Sequence, residues 1–312
     1  MGHGKREESH NVYHQGKNKL NSMYRYGKGT SKYKDKLANA SQGKGYIPAS
    51  DKIYINSTFE DYKKAWADFC CEMKNDGYKV DGHVPHTLDE TVGFVPKYID
   101  ILKNREGRHG KYSAWTIRTY FAGVGKVLGI SARDYNLPKR RRRDITRSRG
   151  HAVRDDHFSK KNNADLIEFC RCTGLRNASE LQKINGNCLV YDQNGNPCIY
   201  VIGKGKKART SPIIGTEEEI ERVVNRIKNA AEKPVWPHVP SCADIHDMRA
   251  EYAQKLYNDL ARDAAEIPQK ERYCCRGDQK GKWYDRKAVL EVSKALGHSR
   301  ANVVVEHYLG RH

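Results

Sequence analysis

A run of arginines near the middle of the chain divides the sequence into two parts. Residues 138–150, PKRRRRDITRSRG, hold seven Lys or Arg side chains against a single acid, Asp144. Such a segment cannot build a hydrophobic core, because every buried guanidinium would need a partner of its own. The run therefore predicts a linker between two folded domains, residues 49–137 and residues 151–312.

The part before the linker has the periodicity of a small helical bundle. Ser57-x-x-Glu60 and Thr87-x-x-Glu90 are capping-box sequences, and apolar residues follow each of them at helical spacing. Pro96 lies inside the second run and is expected to kink or divide it. These patterns predict two amphipathic helical segments.

A third helix is predicted to begin after Ser113 and to end at Gly129. Its apolar residues follow the i, i+3, i+4, i+7 rule of a helix that buries one face. We interpret the aromatic side chains of all three segments as core residues, so this part is predicted to be a bundle.

The first 48 residues differ in composition from the bundle. They are rich in Gly, Lys, Asn, Ser and Tyr, and they contain ten Lys or Arg against three acids. This composition predicts a basic, flexible N-terminal arm over residues 1–48. Its tyrosines are more typical of a solvated tail than of a base-stacking surface.

The part after the linker mixes helical and β-type patterns. A helix is predicted to end at Gly174, and short β-type runs follow with turn signals at Asn194-Gly195 and at residues 203–205. Helical patterns resume from Thr216. The predicted fold class is therefore mainly α, with a small antiparallel β-sheet in the C-terminal domain.

Net charge narrows the class of partner. The chain has 57 Lys and Arg against 38 Asp and Glu, a formal charge of +19. Such an excess most often serves to bind a polyanion, since each cation set against a phosphate releases a condensed counterion. Nucleic acid is the first candidate partner, and a merely basic soluble protein is the alternative.

The sequence also bears on location. No window approaches about 18 consecutive apolar residues, and the first residues lack the apolar stretch of a signal peptide. The nine cysteines are odd in number and contain no Cys-x-x-Cys, which fits a reducing compartment. We expect no membrane association and a cytoplasmic, nucleoid-associated protein.

Six polar residues of the chain could together bind a phosphate group and take part in its chemistry. An Arg side chain is a natural phosphate clamp, because its planar fork donates two parallel hydrogen bonds. His246 and Arg249 would lie one turn apart on one face of a helix. In chain order the set is Arg176, Lys204, His246, Arg249, His298 in Leu296-Gly297-His298, and Tyr308.

In this order the set resembles the tyrosine recombinase family, the phage integrase class of site-specific DNA recombinases. The predicted bundle, with Ser113-x-x-Thr116-Ile117 leading its last helix, is similar to that family's core-DNA-binding domain. The resemblance implies a helical core-binding domain followed by a catalytic domain that needs no metal, ATP or other cofactor. It also implies a homo-tetramer on paired sites in double-stranded DNA, with an accessory DNA-bending or directionality factor as a further partner.

The resemblance assigns a role to each of the six residues. Tyr308 would attack a DNA phosphorus and form a 3′-phosphotyrosyl link. Arg176 and Arg249 would hold the non-bridging oxygens and stabilise the charge that develops in the transition state.

The remaining three residues would move or share protons. Lys204 would protonate the departing 5′-oxygen, and His246 would assist removal of the proton from Tyr308. His298 would donate a hydrogen bond to the phosphate.

Further basic residues are predicted to contact DNA outside the reacting phosphate. The linker is interpreted as a strap against phosphates, with a solvated linker as the alternative. The loop between the last two β-type runs is interpreted as a basic hairpin tip. The predicted contacts are Lys139, Arg140, Arg141, Arg142, Arg143, Lys206, Lys207 and Arg209.

One departure from the family pattern concerns the acid after the first arginine. Ser179 occupies its usual position and Glu180 comes one residue later. Because residues i and i+4 share a helix face, Glu180 is a candidate for orienting Arg176, and a plain surface salt bridge is the alternative.

Two other departures concern length. The interval of 49 positions between Arg249 and His298 is longer than usual and predicts an insertion around residues 263–285. Because the sequence ends at His312, we expect it to lack the helix that the resemblance implies would dock on a neighbouring subunit.

A zinc site is the alternative use of one short segment. His238, Cys242 and His246 recur every four residues, and His and Cys are zinc ligands. Pro237 and Pro240 break the helix face that the three would need. No metal is therefore predicted.

The function predicted from these residues is integration or excision of a mobile element by site-specific recombination. A type IB topoisomerase-like strand transferase would use the same tyrosine chemistry without paired sites. A catalytically silent, sequence-specific DNA-binding protein of the same fold is the alternative from another class.

Overall fold

The computed structural model describes residues 11–40, 51–107, 110–141, 144, 158–176, 178–203 and 208–309. The chain divides into two compact units, Met1–Asp144 and Ile145–His312. The division falls inside the arginine-rich run. Each unit has its own hydrophobic core.

Unit 1 is a helical bundle with one short β-hairpin. Its aromatic core centres on Trp66, Phe69, Phe94 and Tyr98, all buried. A 3-10 helix over Asp89–Phe94 leads directly into a helix with Pro96 in its first turn, so the proline divides the run as predicted. The elements are α1 (Val12–Met23), α2 (Lys32–Ala40), α3 (Asn56–Asn75), α4 (Val95–Asn104), β1 (Glu106–Gly107), β2 (Gly110–Lys111) and α5 (Ala114–Leu128).

Of two predicted helix starts, the one after Ser113 is confirmed and the one at Ser57 is wrong. The Ser113 side chain accepts the backbone N–H of Thr116 at 3.1 Å, and α5 begins there. The Ser57 capping box is wrong, because α3 already begins at Asn56 and no side chain caps it. Asn56 instead accepts a hydrogen bond from the Tyr24 hydroxyl at 2.6 Å, so a distant residue contacts the helix start.

The flexible arm predicted for residues 1–48 is wrong over α1. Val12, Gly16 and Leu20 form a buried stripe at four-residue spacing. Gly16 lies so close to the Trp66 ring that no Cβ would fit, and the indole N–H of Trp66 donates to the Tyr13 carbonyl at 3.0 Å. A small residue here lets helix and indole approach, and α1 is therefore part of the unit 1 core.

Unit 2 is mainly helical and carries a three-stranded antiparallel sheet in which the strands follow one another in chain order. This confirms the predicted fold class. The elements are α6 (Ala164–Thr173), α7 (Ala178–Leu181), β3 (Leu189–Tyr191), β4 (Pro197–Ile202), β5 (Ala208–Pro212), α8 (Glu217–Ala230), α9 (Ile245–Leu260), β6 (Arg272–Cys274), β7 (Trp283–Asp285), α10 (Arg286–Ala295), α11 (Ala301–Val304) and a π-helical turn over Val305–Leu309.

The segment predicted as an insertion folds into the hairpin β6–β7. Arg262 joins its two ends, because its guanidinium bonds both carboxylate oxygens of Asp285 at 2.8 Å and also reaches Glu271. Asp285 is buried, and these bonds hold the pKa of its carboxyl well below the usual range. The Asp285 side chain also caps α10 by accepting the N–H of Lys287. The hairpin is thus fixed to the helix that precedes His298.

No helix in the described part of the chain combines the length and the apolar character that crossing a membrane requires.

Candidate active site

Arg249 lies at the centre of the site, on α9, with 1% of its surface exposed. Its Nε donates to the Tyr308 hydroxyl at 3.2 Å, and its two terminal nitrogens donate to the carbonyls of Leu296 and Gly174. Burial lowers the pKa of this guanidinium from its usual value, and the adjacent Tyr308 opposes that shift. One side chain therefore connects the end of α6, the end of α10 and Tyr308.

Tyr308 is buried in the π-helical turn that follows α11. Besides Arg249, its hydroxyl lies 3.4 Å from Nε2 of His298. The His246 ring packs against the Tyr308 ring with 5.3 Å between the centroids. Gln254 of α9 donates to the Tyr308 carbonyl at 3.1 Å and so ties the turn to the helix. The hydroxyl thus faces a cation and an imidazole nitrogen.

His298 is presented by the turn that ends α10. Gly297 adopts the left-handed conformation there, with φ near +70°, which favours glycine. The His298 N–H donates to the Ser293 carbonyl at 2.8 Å, and the Ser293 hydroxyl donates back to the His298 carbonyl at 3.2 Å. The backbone at His298 is therefore held on both sides.

Burial lowers the pKa of His298 to about 4, and the charges of Arg249, Arg176, Arg209 and His307 act in the same direction. The imidazole is therefore neutral at neutral pH. A neutral imidazole keeps one ring nitrogen as a proton acceptor.

Arg176 follows the end of α6, where Gly174 has a left-handed φ of +60°. A Cβ at Gly174 would run into the ring of Tyr252, so the close packing also requires glycine. The N–H of Arg176 donates to Oε2 of Glu180 at 2.8 Å, and the side chain is half-buried. Glu180 therefore contacts the backbone of Arg176.

The ion pair of Glu180 is with Arg209 of β5, at 2.8 Å, and the two side chains are 5% and 8% exposed. Burial opposes ionisation of Glu180, but the hydrogen bond and charge of Arg209 outweigh it, so the pKa of Glu180 lies below its usual value. The alternative of a surface salt bridge for Glu180 is therefore wrong. The prediction that Arg209 contacts DNA from an exposed hairpin tip is also wrong in its placement, because the strand turns this side chain inward.

The sequence holds a signal for the inward position of Arg209. On β5, alternate residues share a face of the sheet, and Ser211 and Ile213 beyond Arg209 are both buried. A period of two starting from Ile213 would have placed Arg209 inside.

The structure brings five of the six predicted residues of the phosphate set together in unit 2. Lys204, Lys206 and Lys207 lie outside the described residues, as do Arg142 and Arg143 of the linker. Lys139, Arg140 and Arg141 are described in unit 1, and all three are exposed. The five residues brought together are Arg176, His246, Arg249, His298 and Tyr308.

The zinc alternative gains no support from the geometry. Within the described ranges, no three His, Cys, Asp or Glu side chains are grouped as metal ligands. His246 instead packs on Tyr308.

Comparison with known proteins gave two kinds of result. No protein-family model matches the chain, and no curated protein matches it. Among solved structures, the chain is similar to a XerH site-specific recombinase bound to difH substrate in a pre-cleavage complex, with 13% identity, a TM-score of 0.48 and coverage of 97% of this chain and 93% of the other. It is also similar to a XerH recombinase bound to palindromic difH substrate in a post-cleavage complex, with 13% identity, a TM-score of 0.45 and coverage of 94% and 89%.

Proposed function

We propose that this chain is a DNA strand transferase of the tyrosine type that acts as a site-specific recombinase. The observation that carries the proposal is the environment of the Tyr308 hydroxyl, which faces a buried guanidinium and a neutral imidazole. A tyrosine placed only for packing needs one hydrogen-bond partner for its hydroxyl. A cation and a proton acceptor at one hydroxyl together suit a nucleophile.

In the proposed first step, the Tyr308 oxygen forms a bond to a DNA phosphorus and the bond from phosphorus to the 5′-oxygen breaks. The product is a 3′-phosphotyrosyl link and a free 5′-hydroxyl, so the number of phosphoester bonds is unchanged. Lys204 is proposed to protonate the leaving oxygen. Attack by the 5′-hydroxyl of another strand then releases Tyr308 and completes the exchange.

Arg249 is suited to stabilise the charge on the phosphate. A guanidinium has five N–H donors, and Arg249 donates one hydrogen bond each to Tyr308, Gly174 and Leu296. Two donors are left for non-bridging oxygens, and the two carbonyls fix their direction before substrate binds. Such preorganised charge is the largest kind of catalytic contribution in many enzymes. Arg176 is proposed to add a second cation.

Two histidines are candidates for the base that removes the proton of Tyr308. His298 has a ring nitrogen at 3.4 Å from the hydroxyl, whereas His246 contacts the ring of Tyr308. A base must lie within hydrogen-bond reach of the proton it removes. In the geometry described, His298 meets this condition, and His246 is the base if DNA binding redirects its ring.

The finer parts of the proposal rest on the resemblance and on charge. With a formal charge of +19 the chain suits double-stranded DNA. We propose that it pairs two DNA sites as a homo-tetramer, with an accessory DNA-bending or directionality factor, and integrates or excises a mobile element. A type IB topoisomerase-like enzyme would relax any supercoiled DNA without a defined site. A silent DNA-binding protein would form no covalent link.

Covalent capture tests the proposal. The full chain is incubated with sheared DNA from its source and denatured with SDS, and the DNA that stays attached to protein is sequenced. We expect fragments linked through a 3′-phosphate that share a short inverted repeat, and no adduct with Tyr308→Phe. Tyr252→Phe, which removes another buried hydroxyl of unit 2, is the matched control and should keep the adducts.

The other outcomes separate the alternatives. Adducts without any shared sequence would favour the topoisomerase-like enzyme. Binding in a gel shift without adducts would favour the silent DNA-binding protein, and adducts with Tyr308→Phe would exclude Tyr308 as the nucleophile.

A further inference from the structure

Arg209 bridges three separate segments of unit 2. Its terminal nitrogens bond both carboxylate oxygens of Glu180, at 2.8 and 3.3 Å, and its Nε donates to the Ala295 carbonyl at 3.0 Å. The aliphatic part of the side chain packs on Gly297, where an added Cβ would come within 3.0 Å of Cδ. The side chain is 8% exposed, so the guanidinium is largely removed from solvent.

Two of these segments present residues of the candidate active site. Glu180 accepts the backbone N–H of Arg176 at 2.8 Å, so the carboxylate that Arg209 holds also fixes the start of the Arg176 loop. Ala295 ends α10, and Gly297 belongs to the turn after it, which presents His298. Arg209 therefore contacts the supports of both residues, from a third element, β5.

We propose that Arg209 is a positioning residue, which holds the backbone of Arg176 and the turn before His298 in register through Glu180 and the Ala295 carbonyl. The inference rests on the proposed function for its catalytic consequence. It does not require Arg209 to touch DNA.

The geometry needs the shape of arginine as well as its charge. Three acceptors on two segments are reached by one planar fork, which delocalises the charge and fixes the directions of its N–H groups. A lysine keeps the charge but has a single nitrogen at the end of a flexible stem. Arg209→Lys should therefore retain the fold but hold the Arg176 backbone and the turn before His298 less firmly relative to each other.

A matched pair in the same unit shows what a purely structural ion pair looks like. Arg222 of α8 bonds Glu168 of α6 through Nε and a terminal nitrogen, at 3.1 and 2.7 Å. The Arg222 side chain is exposed, and neither residue contacts any residue of the candidate site in the bonds described. Arg222→Lys is therefore the control for Arg209→Lys.

The first measurement separates the rate of cleavage from the affinity for DNA, using a fragment recovered by covalent capture. We expect Arg209→Lys to slow adduct formation about 10- to 100-fold, as loss of positioning does, with the dissociation constant changed less than about threefold. Arg222→Lys should match the wild-type chain in both. Glu180→Gln, which keeps one acceptor oxygen but loses the charge and the second acceptor, should give an intermediate rate.

The second measurement needs no DNA and reads the site directly. In the full chain labelled with ¹⁵N and with [¹³C]histidine, NMR follows the amide of Arg176 and the titration of His298. The charged and titratable groups that face His298 are Arg249, Arg176, Arg209, His307 and Tyr308. Arg209→Lys should shift the Arg176 amide, because its carboxylate partner moves, and Arg209→Met should raise the pKa of His298 because one nearby cation is gone.

The outcomes distinguish this inference from the proposed function. If the wild-type chain forms no adduct on any DNA, the proposed function fails, and the Arg176 amide alone decides whether Arg209 holds the loop. The inference would be overturned if, in Arg209→Lys, the Arg176 amide resonance kept its wild-type position and cleavage kept its wild-type rate. If Arg209→Lys proves unfolded by its melting curve, Glu180→Gln is measured in its place, and wild-type values of both quantities in that variant would overturn the inference equally.

Discussion

Unit 1 and unit 2 bury different kinds of side chain. Among the described residues, the polar or charged side chain that unit 1 buries is Thr91, and its other buried side chains are aromatic or aliphatic. Its arginine with two carboxylate partners, Arg105, remains 19% exposed. The polar or charged side chains that unit 2 buries are Thr173, Glu180, Ser211, Arg249, Asp285 and Ser293.

The contrast concerns the free energy of burying a side chain. Apolar burial stabilises a fold by about 25 cal/mol per Å², whereas burial of a charge costs several kcal/mol unless partners offset it. The described core of unit 1 is stabilised almost entirely by burial of apolar side chains. Unit 2 departs from this pattern beside Tyr308, at Arg249 and at the pair of Arg209 and Glu180. Unit 1 is thus defined by its apolar core, and unit 2 is the part to which the proposed function assigns the chemistry.

The largest effect on stability should come from the core of unit 1. Trp66 is buried, stacks on Phe69 with 5.4 Å between ring centroids and donates a hydrogen bond to Tyr13. Trp66→Ala should lower the free energy of unfolding of unit 1 by about 3–5 kcal/mol, measured by urea denaturation. Trp66→Phe is the control and should cost less. A loss below about 1 kcal/mol would contradict the packed role of unit 1.

In unit 2 the corresponding effect concerns the rate of the proposed reaction at Arg249. Arg249→Lys keeps a positive charge but loses the fork that reaches Tyr308, Gly174 and Leu296. The rate of adduct formation should fall about 10²- to 10³-fold, as it does on loss of a preorganised donor. The exposed Lys255→Arg on the same helix is the control. If Arg249→Lys kept the wild-type rate, a positive charge alone would be sufficient for adduct formation and the arginine fork would not be needed.

The pH dependence of unit 2 gives a third, smaller effect. The unfolded chain protonates His298 near pH 6.5, whereas the folded chain does so only near its lowered pKa of about 4. Between these values the unfolded state binds more protons, so the stability of unit 2 should fall as the pH falls from 6.5 to 4. Hydrogen exchange of unit 2 amides measures this slope. His298→Gln should flatten it, and an unchanged slope would assign the effect to other groups.

The smallest effect should come from a pair at the surface. Arg222→Met breaks the exposed ion pair with Glu168. Exposed pairs contribute little to stability, so chemical denaturation should show a loss of unfolding free energy far smaller than that of Trp66→Ala. A loss as large as that of Trp66→Ala would erase the distinction between exposed and buried charge in unit 2.

The sequence is most informative where the determining contacts are local. Ser113 and Pro96 act within a turn of their own position, and the structure places both as predicted. The fold class follows from the periodicity of apolar residues, which is also local. Arg249 and His298, which the sequence groups with Tyr308 by their order, both contact Tyr308 in the structure.

The expectations that proved wrong depend on contacts between residues far apart in sequence. Composition marks the N-terminal residues as a tail, but α1 is held by Trp66, more than forty positions later. Arg209 follows a hairpin tip in the sequence, although its partners Glu180 and Ala295 come from two other elements. No local pattern reports such partners, because each depends on how the elements pack together.

Gly174 ends α6, and its carbonyl accepts a hydrogen bond from Arg249. Helix length and cation position are thus set by one peptide group. One residue inserted into α6 would turn that carbonyl by about 100° and advance it about 1.5 Å along the axis. The carbonyl would then point away from Arg249, which would lose one of its three hydrogen bonds. The tolerance of α6 to insertions and deletions should therefore be low.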